Sequence, residues 1–377
     1  MRILVDIRHL TNPQQSGVGE YTIQLLRALF EMDQKNEYVL FSSGHIKPDL
    51  SSYFLLSTSY FHIHVPISNK LLNLRTLFLQ HPPINWRVRE PIDLLFLPNL
   101  NIVSLPTDIP TVLTIHDLSW HFFPEFYSKK MQWWHKATRP NELITRSRHL
   151  IVPSQSTKQD VVCAFQKQEE RISVIPHGCD ACFTPHREAR DHGVRSRLKL
   201  PKEFALFVGT MEPRKNLLAL IEGVKHYRIQ SHNDLHLVLV GKWGWRSRDL
   251  RQRLKKNDVH DWVHYLGYVA NEDRPALYRS ATVFTWPSIY EGFGLPVLEA
   301  MASGTPVVTS HTSSLSELTK DAAILVDPYN SRDISDALRG LLGSNTLQKQ
   351  LSQRGLARAK ELSWKKTAVE TLTVFES

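Results

Sequence analysis

Short runs rich in Val, Ile, Leu and Phe recur along the chain, and most are separated by a stretch long enough for one helix. Strands that alternate with helices predict parallel sheets covered on both faces. A polar, basic segment at 185–202 divides the runs into two series, which predicts two doubly wound α/β domains. The first series is RILVDIR, EYVLFSS, FHIHVPI, DLLFLPN, TVLTIHD, HLIVPS and ISVIPHG, and the second is FALFVGT, LHLVLVG, VHYLGYV, ATVFTWPS, TPVVTS and AAILVDP.

The length supports two domains, because single cores stop growing near ~250–300 residues and this chain has 377. We predict an N-terminal domain at 1–180 and a C-terminal domain at 181–362, with the hinge near 178–200. A composition of 42% hydrophobic and 22% charged residues is typical of a globular protein rather than a disordered one. No apolar run approaches the ~18 residues of a membrane-spanning helix.

The N-terminal sequence MRILVDIRHL predicts a first strand and not a signal peptide. With three cysteines and no export signal, the expected location is the cytoplasm. His177, Cys179, Cys182 and His186 lie within ten residues, but a structural zinc site normally joins two separated ligand pairs. We therefore interpret them as ordinary thiols and imidazoles.

The chain carries a net charge of +9, with 18 Lys/Arg against 16 Asp/Glu in residues 1–180 and 28 against 21 in the rest. Two basic segments stand out, at 242–256 and at 127–148, and the second includes Trp133 and Trp134, which we expect to be exposed. Neither contains a nucleic-acid-binding signature, so no nucleic-acid partner is predicted. Solvated helix faces or a membrane surface would explain them.

In doubly wound domains, ligands bind beyond the carboxyl ends of the strands. The segment SGVGEY places Gly17 and Gly19 at the start of the first helix, where backbone N–H groups can approach an anion. Thr22 replaces the third glycine of a dinucleotide fingerprint, so no Rossmann oxidoreductase is indicated. His116 and Asp117 end a buried strand, where a histidine is as often structural as catalytic.

The segment FVGTMEPRKNL ends a strand and is predicted to start a helix at Asn216. Arg214 and Lys215 then lie in the connecting loop, over the cleft between the domains. Two adjacent cations suit a diphosphate, which Arg can bind bidentately. A merely solvated helix start is disfavoured, because cations repel the positive end of a helix unless an anion lies between them.

The segment YEGFGLPVLEAMASGTPVVTS places Glu291 and Glu299 on either side of a short, glycine-rich turn. Pro296 is a good first helical residue, so we predict a helix from there to about Ser303. Glu291 then stays in the loop and Glu299 projects from the first full turn. Each carboxylate can accept hydrogen bonds from paired hydroxyls, which points to a nucleoside diphosphate sugar as the ligand.

The E-x7-E segment, together with VGT-EPRKNL, VIPHG, SGVGEY and TIHDL, resembles the retaining GT-B glycosyltransferases of family four, which include bacterial mannosyltransferases. The resemblance covers nearly the whole chain. It implies the GT-B fold, with two Rossmann-like domains facing each other across a cleft. The N-terminal domain would lie on the acceptor side and the C-terminal domain would bind the donor. It also implies that residues 363–377 cross back to the first domain.

The resemblance implies roles for matching residues. Glu291 would contact the donor sugar hydroxyls, Glu299 the nucleotide ribose and Lys215 the donor phosphates. His116 would lie near the reacting sugar, and the loop from Gly17 to Gly19 beside the diphosphate and the acceptor. Many members have Arg where this chain has Thr210, so we expect Arg214 to supply part of that charge. The predicted catalytic residues are Glu291, His116 and Lys215, and the predicted donor-binding residues are Gly17, Gly19, Arg214, Lys215, Gly292, Phe293, Gly294, Leu295 and Glu299.

By the same resemblance, the expected reaction is transfer of a hexose with retention of anomeric configuration. The favoured donor is GDP-mannose, and the acceptor is a glycan or lipid-linked hydroxyl in surface polysaccharide or glycolipid synthesis. Lipid-linked acceptors also imply peripheral contact with the inner face of the plasma membrane. No cofactor and no metal are expected, because no Asp-x-Asp pair occurs in the chain.

Three alternatives stay open. A UDP-sugar-dependent transferase would use the same motifs. A nucleotide-sugar epimerase shares the two-domain fold but would act on the donor without an acceptor. A non-enzymatic basic protein that binds membranes or nucleic acid would need none of the E-x7-E arrangement.

Overall fold

The computed structural model describes residues 1–11, 17–51, 53–54 and 60–377, so Ser16 of the SGVGEY segment lies outside the described residues. The chain forms two compact units. Unit 1 comprises Met1–Leu118, Lys129–Gly178 and Trp364–Ser377, and unit 2 comprises Ser119–Ser128 and Cys179–Ser363. The predicted boundary between 180 and 181 lies two residues after this division. The sequence analysis did not predict that Ser119–Ser128 belongs to unit 2.

The core of unit 1 is a seven-stranded sheet in the order β3-β2-β1-β4-β5-β6-β7. Every adjacent pair is parallel. Most residues of its central strands are buried, as expected where helices cover both faces. The strands are β1 (Arg2–Asp6), β2 (Glu37–Ser43), β3 (Tyr60–Val65), β4 (Leu94–Leu97), β5 (Thr111–Thr114), β6 (His149–Val152) and β7 (Ile172–Val174).

The helices of unit 1 alternate with these strands, and short 3-10 turns occur at Arg8–Thr11 and Glu169–Arg171. The α-helices are α1 (Gly17–Met32), α2 (Asn69–Leu79), α4 (Lys129–Ala137), α5 (Pro140–Arg146), α6 (Gln155–Phe165) and the C-terminal α16 (Trp364–Glu376).

Helix α16 returns to unit 1 through specific contacts. The Phe375 ring packs 5.0 Å from that of Phe96, and Arg148 donates to the Phe375 carbonyl at 3.1 Å. At the other end of the helix, Thr367 donates to the Pro176 carbonyl at 2.8 Å. These contacts fix the last fourteen residues of the chain, Trp364–Ser377, on the unit that contains its first strand.

Unit 2 contains a six-stranded parallel sheet in the order β10-β9-β8-β11-β12-β13. Its strands are β8 (Phe204–Val208), β9 (His236–Val240), β10 (Val263–Gly267), β11 (Val283–Trp286), β12 (Val307–Ser310) and β13 (Ala323–Val326). Its helices are α3 (Ser119–Phe122), α7 (Ala189–Arg197), α8 (Leu217–Ser231), α9 (Arg248–Arg253), α10 (Asn257–His260), α11 (Arg274–Ser280), α12 (Leu295–Ala302), α13 (Ser314–Thr319), α14 (Ser331–Leu342) and α15 (Asn345–Lys360), with 3-10 turns at Pro124–Phe126, Pro213–Lys215 and Asn271–Asp273.

The basic segment at 242–256 explains why Ser119–Ser128 belongs to unit 2. The Trp245 indole donates to the Phe126 carbonyl at 2.7 Å and stacks on Tyr127 at 5.5 Å between ring centroids. Arg246 donates to the Glu125 carbonyl at 2.5 Å. Part of this segment therefore binds the protein's own backbone, rather than forming only the solvated helix face that the sequence suggested.

The predicted α/β class is confirmed, because each of the thirteen apolar runs overlaps one of the strands of the described chain. Two helix starts differ by one residue from the prediction. Helix α12 begins at Leu295 rather than Pro296, because Gly294 forms its N-cap with φ of 109°. Helix α8 begins at Leu217 rather than Asn216, because Asn216 adopts the left-handed conformation with φ of 59°.

Trp133 and Trp134 were both predicted to be exposed, and the structure confirms this for one of them. Trp133 is 59% exposed, as expected, whereas Trp134 is half-buried. Within the described residues, no helix combines the length and the apolar character needed to cross a membrane.

Gly209, directly after β8, provides a test of how tightly unit 2 is packed. A methyl group added there would lie 2.7 Å from the ring of Trp286, which is 1% exposed. We expect Gly209→Ala to lower the free energy of unfolding by about 1–3 kcal/mol, because overpacking displaces a ring that has no room to move. Gly193→Ala, in α7, is the matched control, since a methyl group there meets nothing within 4 Å. It should stabilise the protein by about 0.5–1 kcal/mol in chemical denaturation, and equal effects of the two changes would contradict this packing.

Candidate active site

The loop between β11 and α12 is fixed by the start of α13. The Glu291 amide donates to Ser313 Oγ at 2.8 Å. Ser314 Oγ lies 2.9 Å from the Glu291 carbonyl and 3.1 Å from that of Phe293, and can donate to either. Gly294 then adopts its positive φ, where an added methyl group would also lie 2.8 Å from Leu315. The glycine is required here by both backbone and space, and the loop holds the Glu291 side chain in one place.

Glu291 is 6% exposed, and Lys215, Arg214 and Trp286 donate to its carboxylate. Lys215 Nζ lies 2.5 Å from Oε1 and Arg214 Nη1 lies 2.7 Å from Oε2. The Trp286 indole donates to Oε1 at 3.2 Å. Charge-assisted hydrogen bonds of this kind are stronger than neutral ones, so the group is a buried, ordered ion cluster.

The two cations are themselves fixed. Arg214 also binds the Glu212 carboxylate at 2.9 Å and the Tyr290 carbonyl at 2.9 Å. Lys215 Nζ lies 4.5 Å from the centroid of the Trp286 ring, within the range of a cation–π contact. Both side chains come from the 3-10 turn that follows β8, so the backbone places them next to the carboxylate before any ligand binds.

The pKa values agree with an ion cluster. Burial alone would raise the pKa of Glu291, but the charges of Arg214 and Lys215, with the Lys215 hydrogen bond, lower it to about 2. Burial, and then the neighbouring charge of Arg214, lower the pKa of Lys215, while Glu291 and Glu212 oppose that change. Glu291 is therefore ionised at neutral pH.

Glu299 makes a second buried group in unit 2, with donors from α11. Arg274 donates to Oε1 and Tyr278 donates to Oε2 at 2.6 Å. The two donors are four residues apart, which places them on one face of their helix. Burial, followed by the charge of Glu299, raises the pKa of Tyr278 well above its usual value, so its hydroxyl stays protonated and donates. Phe183 packs against the Arg274 guanidinium at 5.5 Å.

The predicted site residues of unit 1 lie at the ends of β5 and α1. His116 follows β5 by two residues, donates from Nε2 to the Pro98 carbonyl at 2.8 Å, and packs edge-on to Tyr21 at 4.7 Å. Burial lowers the pKa of His116, and the Pro98 hydrogen bond and Asp117 oppose this effect. Gly17 is exposed at the first residue of α1, and Gly19, two residues further along the helix, is buried.

Sequence reasoning did not foresee which side chains pair. Arg214 and Lys215, the predicted diphosphate-binding residues, contact Glu291. Glu299, the predicted ribose-binding residue, contacts Arg274 and Tyr278 of α11. The partners that the sequence missed are Glu212, Arg274, Tyr278, Trp286 and Ser313. Only the pair on α11, spaced i and i+4, left a signal that a helical reading would have detected. No group of three or more His, Cys, Asp or Glu side chains that could hold a metal occurs in the described part of the chain.

Both halves of the chain are similar to known glycosyltransferases. Residues 15–182 match the family model described as Glycosyltransferase Family 4, and residues 191–358 match the one described as Glycosyl transferases group 1. The chain is 30% identical to O-antigen chain mannosyltransferase B of Escherichia coli over 370 aligned residues. The alignment covers 96% of each protein. The chain belongs to the family-four glycosyltransferases.

Solved structures show the same fold. An Anabaena protein, Alr3699/HepE, determined in complex with UDP and glucose, superposes with a TM-score of 0.76 at 17% identity over the whole of both chains. WaaG, a glycosyltransferase involved in lipopolysaccharide biosynthesis, gives a TM-score of 0.74 at 15% identity over 99% of each chain. The family-four protein described here therefore has the GT-B fold, as predicted, and is a hexosyltransferase.

The buried cluster predicts the pH dependence of stability. Glu291→Gln should lower the free energy of unfolding at pH 7 by about 3–5 kcal/mol, because it leaves Arg214 and Lys215 buried without their shared counter-charge. A carboxylate with a lowered folded-state pKa stabilises the fold above its unfolded pKa and loses that effect as it is protonated. The difference between wild type and Glu291→Gln should thus shrink between pH 4.5 and pH 2.

Denaturant unfolding at several pH values measures this difference. Glu376→Gln, which changes an exposed carboxylate, is the control and should track wild type throughout. A wild-type advantage over Glu291→Gln that stays constant from pH 7 to pH 3 would contradict the ion cluster.

Proposed function

We propose that this enzyme transfers mannose from GDP-mannose, with retention of the anomeric configuration, to a hydroxyl of a glycan or lipid-linked acceptor in surface polysaccharide synthesis. The observation that carries the proposal is the similarity to an O-antigen chain mannosyltransferase over 96% of both chains. The buried cluster of Glu291, Arg214 and Lys215 supports it. Similarity that extends through both units favours a shared reaction over a shared donor domain alone.

The site offers what the reaction needs. Glu291 would turn from its cations toward the donor sugar hydroxyls, and Arg214 and Lys215 would then stabilise the charge that develops on the leaving diphosphate. Glu299 would accept from the ribose while Arg274 and Tyr278 hold its orientation. The leaving phosphate would take the proton of the acceptor hydroxyl in a front-face displacement, so the protein contributes mainly position and charge.

A screen of nucleotide sugars tests the donor. GDP-mannose and GDP should raise the melting temperature of the purified enzyme, because a ligand that binds only the folded state stabilises it by about 2.7 kcal/mol at one hundred times its Kd. UDP-glucose and UDP are the decisive comparison. Stabilisation by the UDP compounds alone would favour a UDP-sugar transferase. Conversion of the donor sugar to its epimer without any acceptor would favour an epimerase.

Substitutions of Glu299 and Glu291 should affect GDP binding and sugar transfer differently. Glu299→Gln should weaken GDP binding by about 1–3 kcal/mol, the cost of a lost charged hydrogen bond. Glu291→Gln should bind GDP at least as tightly as wild type, because it frees two cations, and should transfer no sugar. Calorimetry with GDP and product formation from GDP-mannose measure the two effects. Equal loss of GDP affinity in both variants would refute the division of roles.

Transfer should proceed without a divalent metal. The cations of Arg214 and Lys215 would provide the charge that a metal ion supplies in enzymes with an Asp-x-Asp pair, and losing one such group typically costs ~100–1,000-fold in rate. We expect the turnover number to be unchanged by excess EDTA. Loss of activity on chelation, with recovery on adding magnesium or manganese, would show that this account of the phosphate site is wrong.

We also propose that the enzyme binds the membrane that carries its acceptor, through the outer face of α2. Three apolar side chains at helical spacing are exposed there: Leu71 at 52%, Leu74 at 51% and Phe78 at 73%. Lys70 and Arg75 are exposed on the same helix, and α2 contains no acidic residue. An apolar stripe with basic neighbours fits an anionic lipid surface, where each Lys or Arg contributes about 1 kcal/mol.

Co-sedimentation with vesicles that contain phosphatidylglycerol tests this surface. Binding should fall as salt rises, because the charges are screened. The double variant Leu74→Ser, Phe78→Ser should lose most of this binding. The control Ile229→Ser, Tyr329→Ser removes two large, exposed side chains from unit 2 and should bind like wild type. The proposal would be contradicted if wild type did not bind the vesicles even at low salt, or if both double variants lost vesicle binding equally.

A further inference from the structure

Helix α11 supplies two donors to Glu299, yet it is seven residues long. A helix of this length is not stable by itself, because isolated helices shorter than ~12–15 residues are marginal in water. The positions of Arg274 and Tyr278 must therefore come from the tertiary contacts of α11. The Glu299 carboxylate can turn toward a ligand only as far as these two donors allow.

The segment 183–191 packs on both donors through one ring. Phe183 is buried, and the centroid of its ring lies 5.5 Å from the Arg274 guanidinium. The same ring packs edge-on against Tyr278, with 5.6 Å between the centroids. Both distances are within the ranges of cation–π and edge-to-face contacts. One aromatic side chain from outside α11 therefore contacts the two residues that hold Glu299.

Arg279 anchors the same segment to α11. Its guanidinium binds the Asp191 carboxylate bidentately, with Nε–Oδ2 at 2.8 Å and Nη2–Oδ1 at 2.6 Å. Nη1 also donates to the Thr184 carbonyl at 3.3 Å, and Nη2 to the Glu188 carboxylate at 3.3 Å. The hydrogen bonds from Arg279 hold the pKa of Asp191 below its usual value, so the pair is charged at neutral pH. Because the Arg279 side chain is 2% exposed, water competes little for this pair.

A second ion pair joins α7 to the start of α11, but it is exposed. Arg197 Nη2 lies 2.6 Å from Asp273 Oδ2, and the Arg197 side chain is 60% exposed. Exposed ion pairs contribute little, because water competes for both partners and the long side chains lose freedom. The buried Arg279 pair is therefore the ionic contact that fixes the segment 183–191 on α11.

We propose that Arg279 is a positioning residue, which anchors the segment 183–191 so that Phe183 holds both donors of α11 on Glu299. The carboxylate is thereby kept in the orientation that accepts from the ribose hydroxyls. Arg279 acts through α11 and not on the nucleotide, because its three guanidinium nitrogens already donate to the segment. The proposal rests on the ribose-binding role of Glu299 in the proposed function.

Calorimetric affinities of GDP and of dideoxy-GDP, which lacks both ribose hydroxyls, test the proposal on the full chain. Their ratio isolates the contribution of the hydroxyls, because a loss of folding stability weakens both ligands alike. We expect wild type to bind GDP at least about 10-fold more tightly than dideoxy-GDP, the effect of a hydrogen bond to a charged group. Arg279→Met should lower this ratio at least about 5-fold, the equivalent of one hydrogen bond, while dideoxy-GDP keeps its wild-type affinity.

Four further variants make the outcome specific. Arg279→Lys keeps the charge but not the bidentate contact, so its ratio should lie between those of Arg279→Met and wild type. Phe183→Leu, which removes the ring, should lower the ratio as Arg279→Met does. Asp191→Asn removes the partner charge without a change of size and should also lower it; this variant replaces Arg279→Met in the measurement if the latter does not fold. Arg197→Met, the exposed control, should keep the wild-type ratio.

Two results would overturn the proposal. The first is equal weakening of GDP and dideoxy-GDP, or no weakening of either, in Arg279→Met and Asp191→Asn. The second is the same fall of the ratio in Arg197→Met as in Arg279→Met, which would show that any loosening of α7 has this effect.

Failure of this proposal is distinguishable from failure of the proposed function. If Glu299→Gln loses the discrimination between the two nucleotides and Arg279→Met keeps it, Glu299 binds the ribose and Arg279 does not position it. If wild type binds both nucleotides equally, the ribose-binding role of Glu299 is wrong, and the positioning role is wrong with it. Product formation from GDP-mannose tests the transfer reaction independently. If the donor screen selects UDP, the same ratio is measured with UDP and dideoxy-UDP.

Discussion

The contact between Glu291 and its two cations sets the geometry of unit 2. One buried carboxylate binds Lys215 and Arg214, which follow β8, and its own backbone is tied to the start of α13. These contacts join the segments that follow β8, β11 and β12, at the carboxyl ends of the three strands. Two fixed cations next to a carboxylate also form a site that an incoming anion can enter only by competing with that carboxylate. A diphosphate that binds here would therefore replace the carboxylate in these ion pairs.

The same arrangement explains why the two glutamates are not equivalent. Glu291 lies in a loop whose shape depends on a glycine at positive φ, and its partners are cations from a different strand. Glu299 is on a helix, and its partners Arg274 and Tyr278 come from one neighbouring helix. A loop carboxylate can change partners with little movement of the backbone. A helix carboxylate held by a neighbouring helix is better suited to one fixed role, such as orienting a ribose.

The sequence indicated the architecture well because parallel strands covered by helices have few polar residues, so the strands of the described chain lie in runs rich in Val, Ile, Leu and Phe. It also located the glycines and the proline that shape the loop before α12. It could not indicate that Arg214 and Lys215 pair with Glu291, because that contact joins residues 76 and 77 positions apart. Burial of Trp134 and the attachment of Ser119–Ser128 by Trp245 are likewise tertiary effects without a local pattern.

The central claim is that Arg214 and Lys215 bind the donor diphosphate in place of Glu291. Calorimetric affinities of GDP and of guanosine, measured for wild type and for Lys215→Met, test it most directly. The ratio of the two affinities isolates the contribution of the diphosphate. We predict that this ratio falls at least about 10-fold in Lys215→Met while guanosine binds both proteins alike, because a charge-assisted contact contributes about 1.5–3 kcal/mol. An unchanged ratio would show that the diphosphate binds elsewhere and would contradict the account.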